Sequence, residues 1–391
     1  MITRLQVRNF KSLREIDLSL GPLNVLVGPN MSGKSNILDV FRFLYQVFFP
    51  EANAQGISYA VAQRGGISEV VWKGGDTRLI TIVLEAIDDA DPSRTYRYSI
   101  ELISGPGEFV TNQSESLKLL RPGMEIDLIR RERDFLQLKN ADGKDAGITG
   151  SIGISALQHA PPNWDGYRFS EWVRLWRFYH LLPPEMKERS SVALGQGLTP
   201  SGDNLSSWLL WLQSHSPEAF FKLNEVLQDL FPEIVQIRAI PAQDGKVHLT
   251  ATEKGLKRPT FVWALSDGFL ALTALLSLIY APPGLSGTVF CIEEPENHLH
   301  PRLLETLVGL LRQVRQEVVD SKGAPPQIFI TTQSPYLVDQ FSLDEIVWVE
   351  RKNGETKVFR PADKIHLKKL IEDKDLGLGD LMFTGVLGDE K

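Results

Sequence analysis

The chain opens on strand-like alternation. Ile2, Leu5 and Val7, then Ile16, Leu18 and Leu20, then Leu23, Val25 and Val27 recur at strand spacing, with "RNFKS" and "GP" as turns between them. From Lys34 the spacing lengthens, and Ile37, Leu38, Phe41, Leu44, Tyr45 and Phe48 mark one helix face that Pro50 ends. Between about 79 and 131, "RLITIVLEA", "TYRYSIELI" and "EIDLIR" predict an antiparallel meander, and the Gly-, Ser- and Pro-rich segment 140–168 has the composition of a connector. Helical spacing fills 169–231: "FSEWVRLWRFYHLL", "GDNLSSWLLWLQ" with Asp203 as cap, and "SPEAFFKLNEVLQDLF" with Ser216 as cap before Pro217. Strand patterns resume in "IVQIRAI", "KVHLTAT" and "TFVWAL". An apolar helix over 269–280 follows, then "GTVFCIEEPENHLHP", a long helix to about 319, and the strand "QIFITTQSP".

These elements predict an α/β fold in two sequence-distant parts, 1–50 and 235–361. Between them lie an inserted antiparallel β-meander at 51–140 and a helical lobe at 165–232, and a tail occupies 362–391. No fixed-period repeat or long heptad run is present.

Composition narrows the classes. A chain of 391 residues, 42% hydrophobic and 23% charged, suits a soluble globular protein. A formal charge of −7 argues against a uniformly basic surface but leaves room for a local basic groove. Candidates for DNA contact are Arg130, Arg131 and Arg133 in "IRRERDF", and Arg174 and Arg177 with Trp172 and Trp176. A charge run is more often simply a solvated face. The single Cys291 allows no intramolecular disulfide, and the N-terminus lacks a signal-peptide apolar run, so a cytoplasmic location is expected. The longest apolar run, "FLALTALLSLIYA", falls short of the ~20 residues that span a bilayer, so no membrane partner is expected.

Four short stretches carry chemistry. Gly28-Pro-Asn-Met-Ser-Gly33-Lys34-Ser35 matches G-x-x-x-x-G-K-[ST] between an expected strand and an expected helix. There the backbone N–H groups converge on phosphate oxygens, Lys34 reaches the β- and γ-phosphates, and Ser35 offers its hydroxyl to Mg²⁺. Asn30, Met31, Ser32, Gly33, Lys34, Ser35 and Asn36 are the candidate contacts to ATP. Glu293 and Glu294 end an apolar strand and point in different directions, so one suits Mg²⁺ and the other the attacking water. Ser266, Asp267 and Gly268 precede the 269–280 helix, as a cap or as a second anion site. Gln333 and Ser334 follow Thr331 and Thr332 at a strand end, where α/β folds place ligands, although Ser334 also suits a cap before Pro335.

The order of "FKS", "GPNMSGKS", "LSDG", "IEEPENHLHP" and "TTQSP" resembles the ABC-type ATPase heads of the SMC/RecF superfamily. It is similar in particular to the stand-alone AAA-type ATPases close to the OLD (overcoming lysogenisation defect) family. The likeness covers about 1–50 and 235–361, and extends to the inserted lobes only through "PSGDNLSSWL". It implies a P-loop NTPase head, with Lys11 and Ser12 near the nucleotide, Glu293 on the Mg²⁺ side and Glu294 catalytic. It also implies that Ser266, Asp267 and Gly268 act in trans on the γ-phosphate, so that ATP joins a homodimer or higher oligomer. The implied setting is prokaryotic anti-phage defence with a separately encoded nuclease or toxin. The alternatives are RecF-like DNA binding in repair, or a nucleotide-gated scaffold with negligible turnover.

Two features depart from that pattern. Gln333 stands where most such heads carry histidine, which bears on turnover. The sequence runs about thirty residues past Arg360, so the Toprim nuclease domain of OLD nucleases is not expected in it. His298 and His300 complete no zinc spacing and are expected in a loop at the dimer interface.

Overall fold

The computed structural model describes all residues except 52–53, 106–108, 147–152, 195–196, 283–286, 321–322, 364–376 and 384–391. The chain divides into two compact units. The first comprises Met1–Trp176, Gln327–Phe329 and Ser342–Lys391, and the second Arg177–Pro326 and Ile330–Phe341.

In the first unit the strands are β1 (Ile2–Phe10), β2 (Leu13–Ser19), β3 (Leu23–Val27), β4 (Leu79–Ile87), β5 (Thr95–Ser104), β6 (Val110–Arg121), β7 (Met124–Glu132) and β8 (Phe135–Leu138). All but β3 form one antiparallel sheet in the order β2-β1-β4-β5-β6-β7-β8. Register gives it a continuous apolar row: Leu18, Leu5, Leu84, Tyr98 and Leu117 lie opposite one another in turn, and all are buried. The adjacent row, Ile16, Val7, Ile82 and Ile100, ends on Glu115, which opposes Arg131. The sheet thus takes two strands from the 1–50 segment and five from 51–140.

Strand β6 has no clean alternation, because "TNQSES" puts polar groups at inward positions. Pairing on both sides, with β5 and β7, makes it a strand nonetheless. The buried Asn112 Nδ2 donates to Glu115 at 2.8 Å, and Glu115 also accepts from the Tyr98 hydroxyl at 3.0 Å and the Ala156 N–H at 3.0 Å.

Helices α1 (Lys34–Phe48), α2 (Gly56–Ala62), α3 (Ile67–Val70) and α4 (Tyr167–Arg174) complete this part of the unit. Ile37, Leu38, Phe41, Leu44 and Phe48 of α1 are buried, as their spacing requires. Each such side chain contributes roughly 1.5–3 kcal/mol through burial.

The expected helix over 169–182 is shorter than its pattern suggested: α4 stops at Arg174, and β9 (Trp176–Tyr179) follows. A four-residue stretch, Trp176-Arg177-Phe178-Tyr179, is too short for a period that separates helix from strand. Its neighbours decide, since β9 lies beside β14 (Val289–Glu293) and Tyr179 stacks on Phe290 at 6.1 Å.

The second unit continues with α5 (Pro183–Met186), β10 (Ser190–Ser191), α6 (Leu205–His215), α7 (Pro217–Leu230), β11 (Ile234–Pro241), β12 (Lys246–Glu253), β13 (Thr260–Phe261), α8 (Asp267–Ile279) and α9 (Pro301–Asp320). Asp203 does not cap α6. Asn204 precedes the helix, and its side chain accepts from the Thr199 N–H at 2.9 Å and donates to the Gly197 carbonyl at 2.7 Å, while Asp203 accepts from the Thr199 hydroxyl. The turn absorbs both polar groups. Ser216 precedes α7 at the expected place, with no side-chain capping bond.

Strand β15 (Gln327–Thr332) contributes Gln327–Phe329 to the first unit and its last three residues to the second, and α10 (Pro335–Val338) follows it. In the first unit, β3 pairs in parallel with β16 (Ile346–Lys352), which pairs antiparallel with β17 (Glu355–Phe359). Every residue of β3 is buried, and Phe41 of α1 packs on Phe329 at 4.9 Å. Among the described residues no helix is long and apolar enough to cross a membrane.

Candidate nucleotide site

In the first unit, β3 runs into the Gly28–Ser35 loop and out into α1. The hairpin β16–β17 fixes that loop from behind. A Cβ on Gly28 would overlap the Val349 carbonyl, and one on Gly33 would overlap Thr356 Oγ1, with Gly33 already at φ 109°. Only glycine fits Gly33. Met31 is also left-handed, at φ 63°, and is exposed.

Lys34 is buried and folds back on the loop, its ammonium donating to the carbonyls of Gly28 at 2.7 Å and Pro29 at 3.0 Å. Ser32 is buried too, and its carbonyl accepts from Thr356 Oγ1 at 2.8 Å. Its hydroxyl has no hydrogen-bond partner among the described residues. Helix α1 starts at Gly33 without a side-chain cap, and Asn30 and Ser35 are exposed. An orphaned buried hydroxyl, an uncapped helix N-terminus and a lysine held on loop carbonyls fit a phosphate group.

Lys11 and Ser12 stand at the turn between β1 and β2. Lys11, at φ 49°, places its ammonium 2.7 Å from Asp39 Oδ2 in α1, and Arg64 pairs with the same carboxylate at 2.6 Å. Burial alone would raise the Asp39 pKa, but Arg64 and then Lys11 outweigh it and hold the carboxyl below its ordinary range. Ser12 Oγ is 2.6 Å from Thr356 Oγ1 and accepts from Asn36 Nδ2 at 2.7 Å. The turn is therefore tied to α1 and to β17 at once. Asp39, Arg64 and Thr356 are site-supporting residues that the motif did not reveal. Thr356 lies 344 positions from Ser12, so no local signal could have found it.

In the second unit, β14 ends at Glu293, and Glu294 sits in the left-handed region at φ 45°. Its N–H donates to the Thr331 carbonyl at 3.0 Å, and its carboxylate accepts from Asn297 Nδ2 at 3.1 Å. A third carboxylate, Glu296, accepts from the Thr332 hydroxyl at 2.6 Å and from the Gln333 N–H at 3.1 Å. Burial raises the Glu296 pKa; Thr332 and the Gln333 N–H pull it back, and the Glu294 charge adds to the rise. Ser334 caps α10 by accepting from the Leu337 N–H at 3.4 Å. Glu296 thus fixes the turn that carries Gln333.

Ser266 Oγ caps α8, accepting from the Phe269 N–H at 3.3 Å. Asp267 lies 2.6 Å from Lys187 Nζ and 3.6 Å from His298 Nδ1, and Lys187 holds its carboxyl below the ordinary range. A Cβ on Gly268 would meet the His298 carbonyl at 2.5 Å, with His298 itself left-handed at φ 71°. The "LSDG" turn and the His298 loop are therefore packed together.

The candidate basic strip does not assemble. Arg131 is fully buried, 3.5 Å from the equally buried Glu115, because register sets the two opposite each other on the core face. Arg130 pairs with Glu132, Arg174 pairs with Glu171 and lies over Phe49, Trp176 is buried, and Trp172 donates to Asp89.

Residues 1–98 match the family described as "AAA ATPase domain", and residues 172–339 match one described as "AAA domain" and, further, "Type IV TA system". The chain carries AAA-family ATPase domains. The chain is 22% identical over 375 residues to an ATP/GTP phosphatase of Helicobacter pylori, covering 92% of each chain. It is 60% identical over 38 residues to an OLD nuclease of Thermus scotoductus, a match that spans 10% of this chain and 7% of that nuclease's length. Its fold is that of the SMC heads: a crystal structure of an SMC head bound to the C-winged helix domain of ScpA aligns at TM-score 0.54 and 17% identity, over 92% of this chain and 97% of that one. An AAA ATPase domain implies nucleotide binding at that general level.

Proposed function

We propose that the chain binds ATP with Mg²⁺ at the Gly28–Ser35 loop, hydrolyses it, and pairs with a second copy around it, gating a separately encoded nuclease or toxin in prokaryotic anti-phage defence. The observation that carries this reading is the loop: Gly33 at φ 109°, the orphaned Ser32 hydroxyl and Lys34 folded onto loop carbonyls, ahead of an uncapped helix. Lys34 would exchange its carbonyl partners for β- and γ-phosphate oxygens. The loop N–H groups from Asn30 to Asn36 would cradle the phosphates, with Lys11 and Ser12 bracing them from the β1–β2 turn. Mg²⁺, held by the Ser35 hydroxyl and Glu293, would neutralise charge on the phosphate oxygens.

Glu294 is the base in this reading. Its left-handed backbone and the Asn297 amide fix the carboxylate, which takes the proton from the attacking water. Gln333 positions that water. An amide donates and accepts but never becomes cationic, so slow turnover is expected. That property also favours the second reading, a scaffold gated by nucleotide with negligible hydrolysis.

In the opposing copy, Ser266, Asp267 and Gly268 would supply the second anion site from the N-terminus of α8. The likenesses to an OLD nuclease and to a Type IV TA family support the defence setting. The SMC head solved with ScpA supports control of a partner. The decisive test is calorimetry of Lys34→Ala in Mg²⁺, together with phosphate release from the parent. Loss of ATP binding is expected, and undiminished binding would sink the assignment.

A further inference from the structure

The outer face of the β11–β12–β13 sheet carries none of the residues assigned to the nucleotide above, and register sets what it displays. Arg238 of β11 opposes Thr250 of β12, Thr250 opposes Phe261 of β13, and Ile240 opposes His248. Opposed residues share a face, so the Arg238 cation and the Phe261 ring flank Thr250, which is buried with its hydroxyl bonded to the Arg238 carbonyl at 3.2 Å. Just past β13, Trp263 stacks on Phe261 with centroids 4.7 Å apart and planes 2° from parallel. The His248 ring meets each of them edge-on at 5.8 Å. This stack stands in water, with Trp263 51% and Phe261 38% exposed.

Four cations of this sheet and its connection are exposed: Arg238, and Lys254, Lys257 and Arg258 in the β12–β13 connection. None of the four has an ion-pair partner among the described residues. Lys254 lies four residues along from Thr250, or about 13 Å at strand rise. The neighbouring acids do not neutralise the face. Asp244 is paired to Arg189 at 2.9 Å. Alternation turns Glu253 to the other side of the sheet, where it lines a cavity with Glu233, Leu265 and Phe269.

We infer that this face binds single-stranded nucleic acid, with a base extending the Phe261–Trp263 stack and the phosphates running over Arg238, Lys254, Lys257 and Arg258. Two parallel rings present an open π-face that any unpaired base can cover, and unpaired cations along the path attract the backbone without reading sequence. A duplex keeps its base faces internal and offers nothing for the stack. An acidic peptide would engage the cations but leave the rings in water. The inference stands whether or not the nucleotide reading holds, because it uses none of those residues.

Fluorescence anisotropy of labelled poly-dT with the full chain tests it. Binding should quench tryptophan emission and weaken steeply between about 50 and about 200 mM salt. Trp263→Ala should lose about tenfold in affinity at an unchanged melting temperature, and Trp263→Phe, which keeps a π-face, should recover most of it. Lys257→Glu with Arg258→Glu should flatten the salt dependence. Absence of poly-dT binding at low salt overturns the inference. So does equal affinity for parent and Trp263→Ala, equal affinity for duplex, or equally effective competition by polyglutamate. If Trp263→Ala changes the mass of the assembly and not poly-dT affinity, the face belongs to an interface between copies and the inference falls.

Discussion

Asp39 shows how much of the candidate site rests on residues outside its motif. It is buried in α1 between Lys11 and Arg64, and its folded pKa lies below the ordinary 3.8. A depressed carboxyl contributes stability that is fully present above its unfolded pKa and is lost as pH falls through the folded value. The parent should therefore lose melting temperature on acidification below pH 3.8 more steeply than Asp39→Asn. The variant should also start about 3–5 kcal/mol less stable, because Arg64 is left buried without its counter-charge. Thermal melts across acidic pH measure both effects, and parallel acid limbs would show that Asp39 does not carry that slope. Lys34 and the two glycines were legible at this scale because a phosphate loop restricts residue type at fixed spacing. Asp39 and Glu296 were not, since a lone carboxylate in a sequence gives no sign of its burial or its partners.

At the scale of elements, hairpin β16–β17 shapes the loop. It meets Gly28 through Val349 and Gly33 through Thr356, and Thr356 Oγ1 bonds both the Ser32 carbonyl and Ser12. Thr356→Val keeps the shape and removes both bonds, leaving buried polar groups unmatched at a cost of about 1–3 kcal/mol. We expect ATP affinity to fall several-fold although Thr356 is assigned no contact with nucleotide. Calorimetry beside denaturant unfolding separates the two effects, and full affinity in a destabilised protein would confine Thr356 to structure. Strands β1, β2, β4 and β5 were readable because half-buried antiparallel strands alternate, and β3 as a short apolar run bounded by turn residues. Strands β6 and β9 were not, since pairing on both sides stabilises the polar β6, and β9, at four residues, is too short to show a period.

For the whole molecule, the proposed ATP-linked dimer makes a mass prediction. Glu294→Gln keeps the shape of the carboxylate and loses its basic oxygen, so ATP should be bound and retained, and light scattering should report twice the chain mass with ATP. Adding Ser266→Arg to that variant puts bulk at the N-terminus of α8, where the opposing phosphate would sit, and should return the mass to one chain. The same mass with and without ATP in both proteins would remove the composite-site model. The sheet face at Phe261 and Trp263 is a separate surface feature, set by strand pairing between segments that look unremarkable in the sequence.

The sequence alone determined the order of strands and helices around the phosphate loop, the carboxylates at the end of β14 and a cap for α8 at Ser266 or Asp267. Each depends on neighbours a few positions away, through alternation, helical period or capping geometry. Only the tertiary structure decided that Arg131 is a core ion-pair partner rather than a surface cation, that Thr356 braces a loop more than three hundred residues earlier, and that Phe261 and Trp263 stack beside unpaired cations. Those outcomes depend on register and on contacts between distant segments. A shift of one residue in strand pairing would turn the same side chains to the opposite face.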